Sequence, residues 1–204
     1  MTYQDTVDSE PRLRLYVYIG PVCAAKTTSA LSRARRIKRL GKPVVLVRPF
    51  KSMRGDETEG KLITKDGQSF PSVEIKNADD LLKLDYKHGT VFWVDEPALI
   101  PGKLFKVIQS MRKNHAFLVS GISQDSEGQP FGTHIPKLLA CADKIIQCIA
   151  DCDFCGRLDS ATRSLSLVSK NTQVLVGGQE TYRPACPDCW NSLIQQKPED
   201  RLPI

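Results

Sequence analysis

Two Cys-x-x-Cys pairs, Cys152-Asp153-Phe154-Cys155 and Cys186-Pro187-Asp188-Cys189, constrain this chain more than any other feature. Two intervening residues let one tight turn aim both thiolates of a pair at a single ion, and four such sulfurs complete the tetrahedral shell that Zn²⁺ prefers. The thirty residues between the pairs then form a loop stapled by metal. All four positions are protein ligands, so the site is structural and leaves no open coordination position for chemistry. A lone Cys-x-x-Cys reads equally as a redox dithiol or a disulfide, but two in succession favour the metal.

At 204 residues the chain can bury one substantial core and a small lobe that leans on the metal. Cys23, Cys141 and Cys148 have no partner spacing. An odd count of seven cysteines, with no secretory leader pattern, predicts a reducing, cytoplasmic setting. The longest apolar runs are five or six residues, too short to span a membrane. The net charge of +6 suits nucleic acid or phosphate-bearing small molecules. The basic run from Arg33 to Lys42 falls on the solvent face of a helix, however, and aromatic residues are not interleaved with it, which argues against nucleic acid. His88, His115 and His134 are isolated surface or turn residues.

Residues 1–12 read as a loose arm, 13–148 as an α/β domain, 149–193 as the zinc lobe and 194–204 as a frayed tail. Leu13 to Ile19 is an apolar strand ending at Gly20. Thr27 to Leu40 is a helix with Ala30, Leu31, Ala34 and Ile37 on one face, stopped by Gly41. Pro43 to Val47 is the next strand. Strand, loop, helix, strand is a βαβ unit, so the sheet is at least partly parallel. Residues 50–72 look largely irregular, with Asp66-Gly67 as a turn or hairpin tip. A short helix from Asn77 to Leu84, a strand from Thr90 to Val94, a helix from Leu104 to Arg112 and a strand from Ala116 to Val119 follow. Beyond a polar loop from Ser120 to Thr133 come a helix from Ile135 to Ala142 and a strand from Lys144 to Ala150. Thr172 to Val176 is a further strand inside the lobe.

The loop Gly20-Pro21-Val22-Cys23-Ala24-Ala25-Lys26-Thr27 lies between a strand and a helix and matches G-x-x-x-x-G-K-[ST] except at Ala25. Backbone N–H groups at the helix start face phosphates, the Lys26 ammonium reaches the terminal ones, and the Thr27 hydroxyl can ligate Mg²⁺. A right-handed Ala25 with converging amides leaves ATP binding open, whereas a collapsed loop weakens it. Asp95 ends a hydrophobic strand where an open parallel sheet displays ligands, so it is a candidate anchor for Mg²⁺. Neighbouring residues on an extended strand face opposite ways, which makes Glu96 a candidate general base aimed elsewhere. Cys23 reads as neither nucleophile nor ligand, because phosphoryl transfer from ATP needs no covalent step.

From about Leu15 to Trp190 the chain resembles the type II, zinc-bearing thymidine kinase family. The resemblance rests on Gly20-Pro21, Lys26-Thr27, Arg54, Asp66-Gly67, Asp95-Glu96, Pro130-Phe131-Gly132, Ala142-Asp143-Lys144, the four paired cysteines, Gly177-Gly178 and Tyr182. It implies a P-loop NTPase-like domain with a mostly parallel sheet, joined to a zinc-ribbon lobe whose lasso loop closes over a nucleoside. It also implies a tetramer that transfers the γ-phosphoryl of ATP to the 5′-hydroxyl of thymidine. By resemblance Gly20, Ala24, Ala25, Lys26, Thr27, Thr28 and Asp95 hold Mg²⁺ and ATP. Glu96 is the base and Arg54 meets the transferring phosphoryl. Leu99, Asp125, Phe131, Val176, Gly178 and Tyr182 line the nucleoside pocket.

The chain departs from that family in several places. Ala24-Ala25 stands for a serine- or alanine-glycine, Ser52 for an aspartate and Val22 for a methionine. Pro97-Ala98-Leu99 replaces a run with aromatics, and Ile122-Ser123-Gln124-Asp125-Ser126 replaces a Leu-Arg-Thr-Asp-Phe pattern. An arginine expected in the lobe is shifted to Arg163, with Ser164 in its place. Two functional readings follow, a deoxynucleoside kinase with an altered pocket or a kinase-like scaffold that binds partners. A nucleic-acid-binding protein is a distant third.

Overall fold

The computed structural model describes residues 15–50, 60–64, 67–169 and 180–204. Seven strands form one mixed, mostly parallel sheet: β1 (Leu15–Gly20), β2 (Val44–Pro49), β3 (Lys61–Ile63), β4 (Ser69–Ile75), β5 (Val91–Asp95), β6 (Ala116–Ile122) and β7 (Lys144–Gln147). Their order is β3-β4-β2-β5-β6-β1-β7, and the β3–β4 pair alone is antiparallel.

Strand alternation divides the core in two. Leu15, Val17 and Ile19 of β1 join Phe92, Val94, Phe117 and Val119 on one face, under helix α2 (Leu104–Met111) and helix α3 (Ile135–Ala140). Tyr16 and Tyr18 join Leu46, Trp93 and Leu118 on the other, under helix α1 (Lys26–Arg39). The apolar stripe Ala30, Leu31 and Ala34 seats α1, and burying Leu31 alone contributes about 1.5–3 kcal/mol. Gly41 ends that helix at φ 77°, its N–H on the Lys38 carbonyl while the Lys42 N–H returns to Ile37. That is a Schellman closure, which glycine makes without strain.

Of residues 50–72, read from sequence as largely irregular, 61–63 and 69–72 are strand. β4 pairs in parallel with β2 and in antiparallel with β3, and Gly67 turns between them. The buried Arg48–Glu74 ion pair at 2.9 Å ties β2 to β4, and Arg35 of α1 reaches the Gln68 side chain and Ser69 carbonyl of the turn. The β2–β4 pairing is long-range, whereas β3 and β4 form a hairpin, and Pro71 in β4 masks the strand pattern. The helix expected from Asn77 to Leu84 is a 3₁₀ turn, Ala78–Lys83, closed by a capping box between Asn77 and Asp80. The last strand of the sheet stops at Gln147, short of the lobe.

The C-terminal region carries strands β8 (Arg163–Ser166) and β9 (Tyr182–Ala185), paired antiparallel, and helix α4 (Pro187–Leu193). The expected strand from Thr172 to Val176 falls outside the described residues. The chain end, read from sequence as frayed, is docked. The Arg201 guanidinium is buried and donates to the carbonyls of Leu193, Ile194, Gln196 and Ser166 at 2.7–3.0 Å, and the Ile204 N–H reaches Asp153. It satisfies the orphan carbonyls that end α4. Arg201→Ala is expected to destabilise the C-terminal region by about 2–4 kcal/mol, since the lost hydrogen bonds come from a charged donor. Arg201→Lys should recover only part, because an ammonium cannot span four acceptors in a planar fork. Urea denaturation read by hydrogen exchange of α4 amides checks both.

Two histidines expected at the surface or in turns are buried. His115 packs edge-on against Tyr86 and Phe92 with ring centroids 4.9 and 5.5 Å away, and His134 begins α3. Burial pushes both imidazoles below their ordinary 6.5, with His88 adding repulsion at His115 and Lys137 at His134. The unfolded chain therefore binds more protons just below that pH, so stability is full above about 6.5 and falls as pH drops through the depressed values. The melting temperature should decline between pH 7 and pH 5, with a shallower slope for His115→Phe. Equal slopes for parent and variant would contradict this.

Candidate functional site

Register places the candidate residues on one edge of the sheet. Gly20 at the end of β1 lies opposite Ile122, and Asp95 at the end of β5 lies opposite Ser120 of the same intervening strand. The two C-terminal strand ends are thus two strand spacings, roughly 10 Å, apart.

The β1–α1 loop reaches that edge without a glycine after Gly20. Cys23 has φ 62° and Ala25 has φ 50°, both in the left-handed region. Ala25 is the N-cap of α1, yet no side chain caps the helix and no acidic residue sits in its first turn. Sequence reasoning tied ATP binding to a right-handed Ala25. The backbone is left-handed instead, the conformation that glycine adopts freely and that alanine enters at a cost of about 1–2 kcal/mol. Two contacts fasten the loop. The Lys26 ammonium, buried, donates to the Pro21 carbonyl, and the Val22 N–H donates to the Ser164 hydroxyl at 3.1 Å. Gly20 is needed for close approach, since a Cβ there would stand 2.2 Å from the Cys148 carbonyl oxygen. Burial raises the Cys148 thiol, and the Ser29 side chain and Lys26 charge beside it offset part of that rise.

At the end of β5, Asp95 is buried and accepts a hydrogen bond from the Ser120 hydroxyl, which accepts one from Trp93 Nε1 at 2.7 Å. Glu96 is half-buried and its N–H meets the Ser120 carbonyl at 2.9 Å. Its φ of 49° corrects the extended-strand argument: a left-handed turn into the Pro97–Leu99 3₁₀ helix, not strand alternation, sends the chain away from Asp95.

The remaining sequence candidates fall in three groups. Leu99 is half-buried in that 3₁₀ turn, and Phe131 is half-buried with its N–H on the Ser123 carbonyl. Asp125 is taken up by its own loop, Oδ1 accepting from the N–H groups of Glu127 and Gln129 at 2.9 Å. Tyr182 opens β9 opposite Ser166. Arg54, Val176 and Gly178 lie outside the described residues.

Cys152, Cys155, Cys186 and Cys189 converge, with all four sulfurs within 4.8 Å of one another. The Cys155 and Cys186 sulfurs are 3.9 Å apart, near the edge of about 3.8 Å for a tetrahedron of sulfurs around zinc. Burial works to raise the Cys152 thiol, but the N–H groups of Cys186, Phe154 and Cys155 outweigh it and bring it down to about 7. Burial and the three neighbouring sulfurs push Cys189 the other way. This cluster is able to coordinate a metal ion, and its N–H donors suit thiolates.

Sequence reasoning missed Ser120, which orients Asp95, and the contact of Ser164 with Val22. Neither carries a local signal, because each partner is remote in sequence, by 25 residues for Ser120 and 142 for Ser164. The Ala142-Asp143-Lys144 signpost is structural in part. Asp143 Oδ2 accepts the Leu15 N–H at 2.7 Å and pairs with Arg112 at 2.6 Å, fastening the start of β1.

Comparison with known proteins identifies the family. The family described as Thymidine kinase matches residues 13–190. A thymidine kinase of Bacteroides fragilis (strain YCH46) is 28% identical over 193 residues, covering 94% of each chain. One from Porphyromonas gingivalis (strain ATCC 33277) is 30% identical over 184 residues, covering 90% of this chain and 87% of that one. One from Coprothermobacter proteolyticus is 30% identical over 179 residues, covering 84% and 87%. The family match spans the β1–α1 loop, the Asp95-Glu96 pair and all four clustered cysteines, and the chain belongs to the thymidine kinase family.

Proposed function

We propose that this chain is a deoxynucleoside kinase of the zinc-bearing type II class, transferring the γ-phosphoryl of ATP to the 5′-hydroxyl of thymidine or a related deoxynucleoside. The observation that carries the reading is the shared sheet edge. An uncapped helix start with a buried Lys26 stands two strands from Asp95-Glu96, in a chain of the thymidine kinase family.

In this reading the β1–α1 loop is a phosphate loop. Its backbone at Gly20, Ala24 and Ala25 faces the polyphosphate, and Lys26 leaves the Pro21 carbonyl for its terminal oxygens. Thr27, Thr28 and Asp95 would hold Mg²⁺ and ATP. The metal ion, when bound, neutralises charge on the transferring group. Glu96 takes the proton from the acceptor hydroxyl, and Arg54 steadies the phosphoryl. Leu99, Asp125, Phe131, Val176, Gly178 and Tyr182 bound the nucleoside, with Asp125 also shaping its own loop. Zn²⁺ in the cysteine cluster is structural. By the same resemblance the protein is a cytoplasmic homotetramer.

The strained, glycine-poor loop favours a second reading, a kinase fold retained for assembly or partner binding. The two separate in one experiment, phosphorylation of the four natural deoxynucleosides with Mg²⁺ and ATP beside direct measurement of ATP binding. Turnover with thymidine supports the kinase. A folded, metal-loaded protein that phosphorylates none of them supports the scaffold. Among the described residues no helix is long and apolar enough to cross a membrane.

A further inference from the structure

We infer that Ser164, in the cysteine-bearing region, is a positioning residue for the β1–α1 loop: its hydroxyl accepts the Val22 N–H and fixes a loop conformation that the loop's own residues disfavour. The inference rests on reading that loop as the phosphate site and names what keeps it in shape. Cys23 and Ala25 both occupy the left-handed region, and each such residue lowers the population of the conformation by roughly five- to thirtyfold relative to glycine. Local sequence therefore pulls the loop away from the form seen, and contacts from outside must hold it there.

Ser164 is suited to that task. It is 4% exposed, on β8, where it pairs with Pro184 of β9, and the buried Arg201 guanidinium holds the Ser166 carbonyl two residues on. Its hydroxyl is thus fixed by the cysteine-bearing region and presented to Val22 at 3.1 Å, directly before the first strained residue. The Lys26–Pro21 contact cannot substitute for it, because in the proposed reaction Lys26 turns toward phosphate. A hydroxyl anchored across 142 residues stays in place when Lys26 moves. A change in the cysteine-bearing region is in this way transmitted to the phosphate loop through one hydrogen bond.

The test compares Ser164→Ala, Ser164→Thr, Ala25→Gly and the Ser164→Ala/Ala25→Gly pair in the full chain. Amide exchange at residues 20–27 is measured beside Mg·ATP affinity, with metal content and melting as controls. Ser164→Ala should speed exchange of the Val22 amide at least tenfold and weaken Mg·ATP binding about five- to thirtyfold, with metal content unchanged. Ser164→Thr, which keeps the hydroxyl, should restore both. Ala25→Gly should recover most of the lost affinity in the Ser164→Ala background, since glycine no longer needs to be held. A Val22 amide unmoved by Ser164→Ala overturns the inference, and so does a loss that neither threonine nor Ala25→Gly repairs. A parent that binds no ATP while Ser164→Ala still loosens Val22 would defeat the phosphate-site reading and leave the positioning role standing.

Discussion

Cys186→Ala is expected to abolish metal retention and unfold the C-terminal region while leaving the seven-stranded sheet in place. Cys186 is buried, its sulfur accepts the Cys189 N–H at 3.5 Å as the N-cap of α4, and its own N–H meets Cys152 Sγ at 3.2 Å. One substitution removes a ligand and a helix cap, while the backbone N–H to Cys152 Sγ is kept. Structural zinc sites of this type contribute about 10–16 kcal/mol of apparent binding free energy, more than a small two-stranded lobe can supply by burial. Chelation of the parent should reproduce the effect. The measurement is elemental analysis beside hydrogen exchange of β8, β9 and α4. Parent protein with one zinc per chain and a protected lobe, both lost in the variant, is the expected result. Well under one zinc per chain in parent protein purified without chelator would contradict it. The cluster shares its core face with α1 and Trp93, so some loosening of α1 should follow.

Glu96→Gln is expected to lower deoxynucleoside phosphorylation by roughly 10²-fold or more with little change in ATP affinity, the usual range for loss of a general base. Lys26→Ala should reduce both turnover and affinity, since the same ammonium serves binding and charge neutralisation. The physical basis is the turn at Glu96. Asp95 is locked by Ser120 and Trp93 at the buried strand end, whereas the left-handed Glu96 is half-buried and free of that strand's alternation. One carboxylate can then serve the metal ion while its neighbour serves the acceptor hydroxyl. Steady-state kinetics with thymidine and calorimetric titration with ATP separate the two effects. A Glu96→Gln variant with parental turnover would remove Glu96 from the reaction and leave the site without a base.

Much of the architecture was legible locally. Short continuous apolar runs bounded by turn residues marked β1, β2, β5 and β6, and the i, i+1, i+4, i+7 spacing of Ala30, Leu31, Ala34 and Ile37 marked α1, because those patterns repeat the geometry of the elements themselves. The paired cysteine spacing was enough to assemble the cluster. β4 was missed because its β2 partner is far away in sequence and Pro71 masks it. The docked tail was missed because charged, proline-bearing sequence reads as loose unless a buried guanidinium happens to find four carbonyls.

What the sequence determined by itself is therefore everything set by neighbours along the chain. That covers the order of elements, the Lys26-Thr27 and Asp95-Glu96 sites at strand ends, and the four sulfurs in two tight turns. The tertiary structure alone decided the state of the loop those sites depend on. Alanine is compatible with either handedness at position 25 when judged locally, and its own preference is for the right-handed one. The left-handed form exists because Lys26 bonds Pro21, Gly20 lies against the Cys148 carbonyl, and Ser164 reaches across 142 residues to Val22. Interactions of that range leave no periodic trace in a sequence, since the energy that selects the conformation arises only once the two regions have packed.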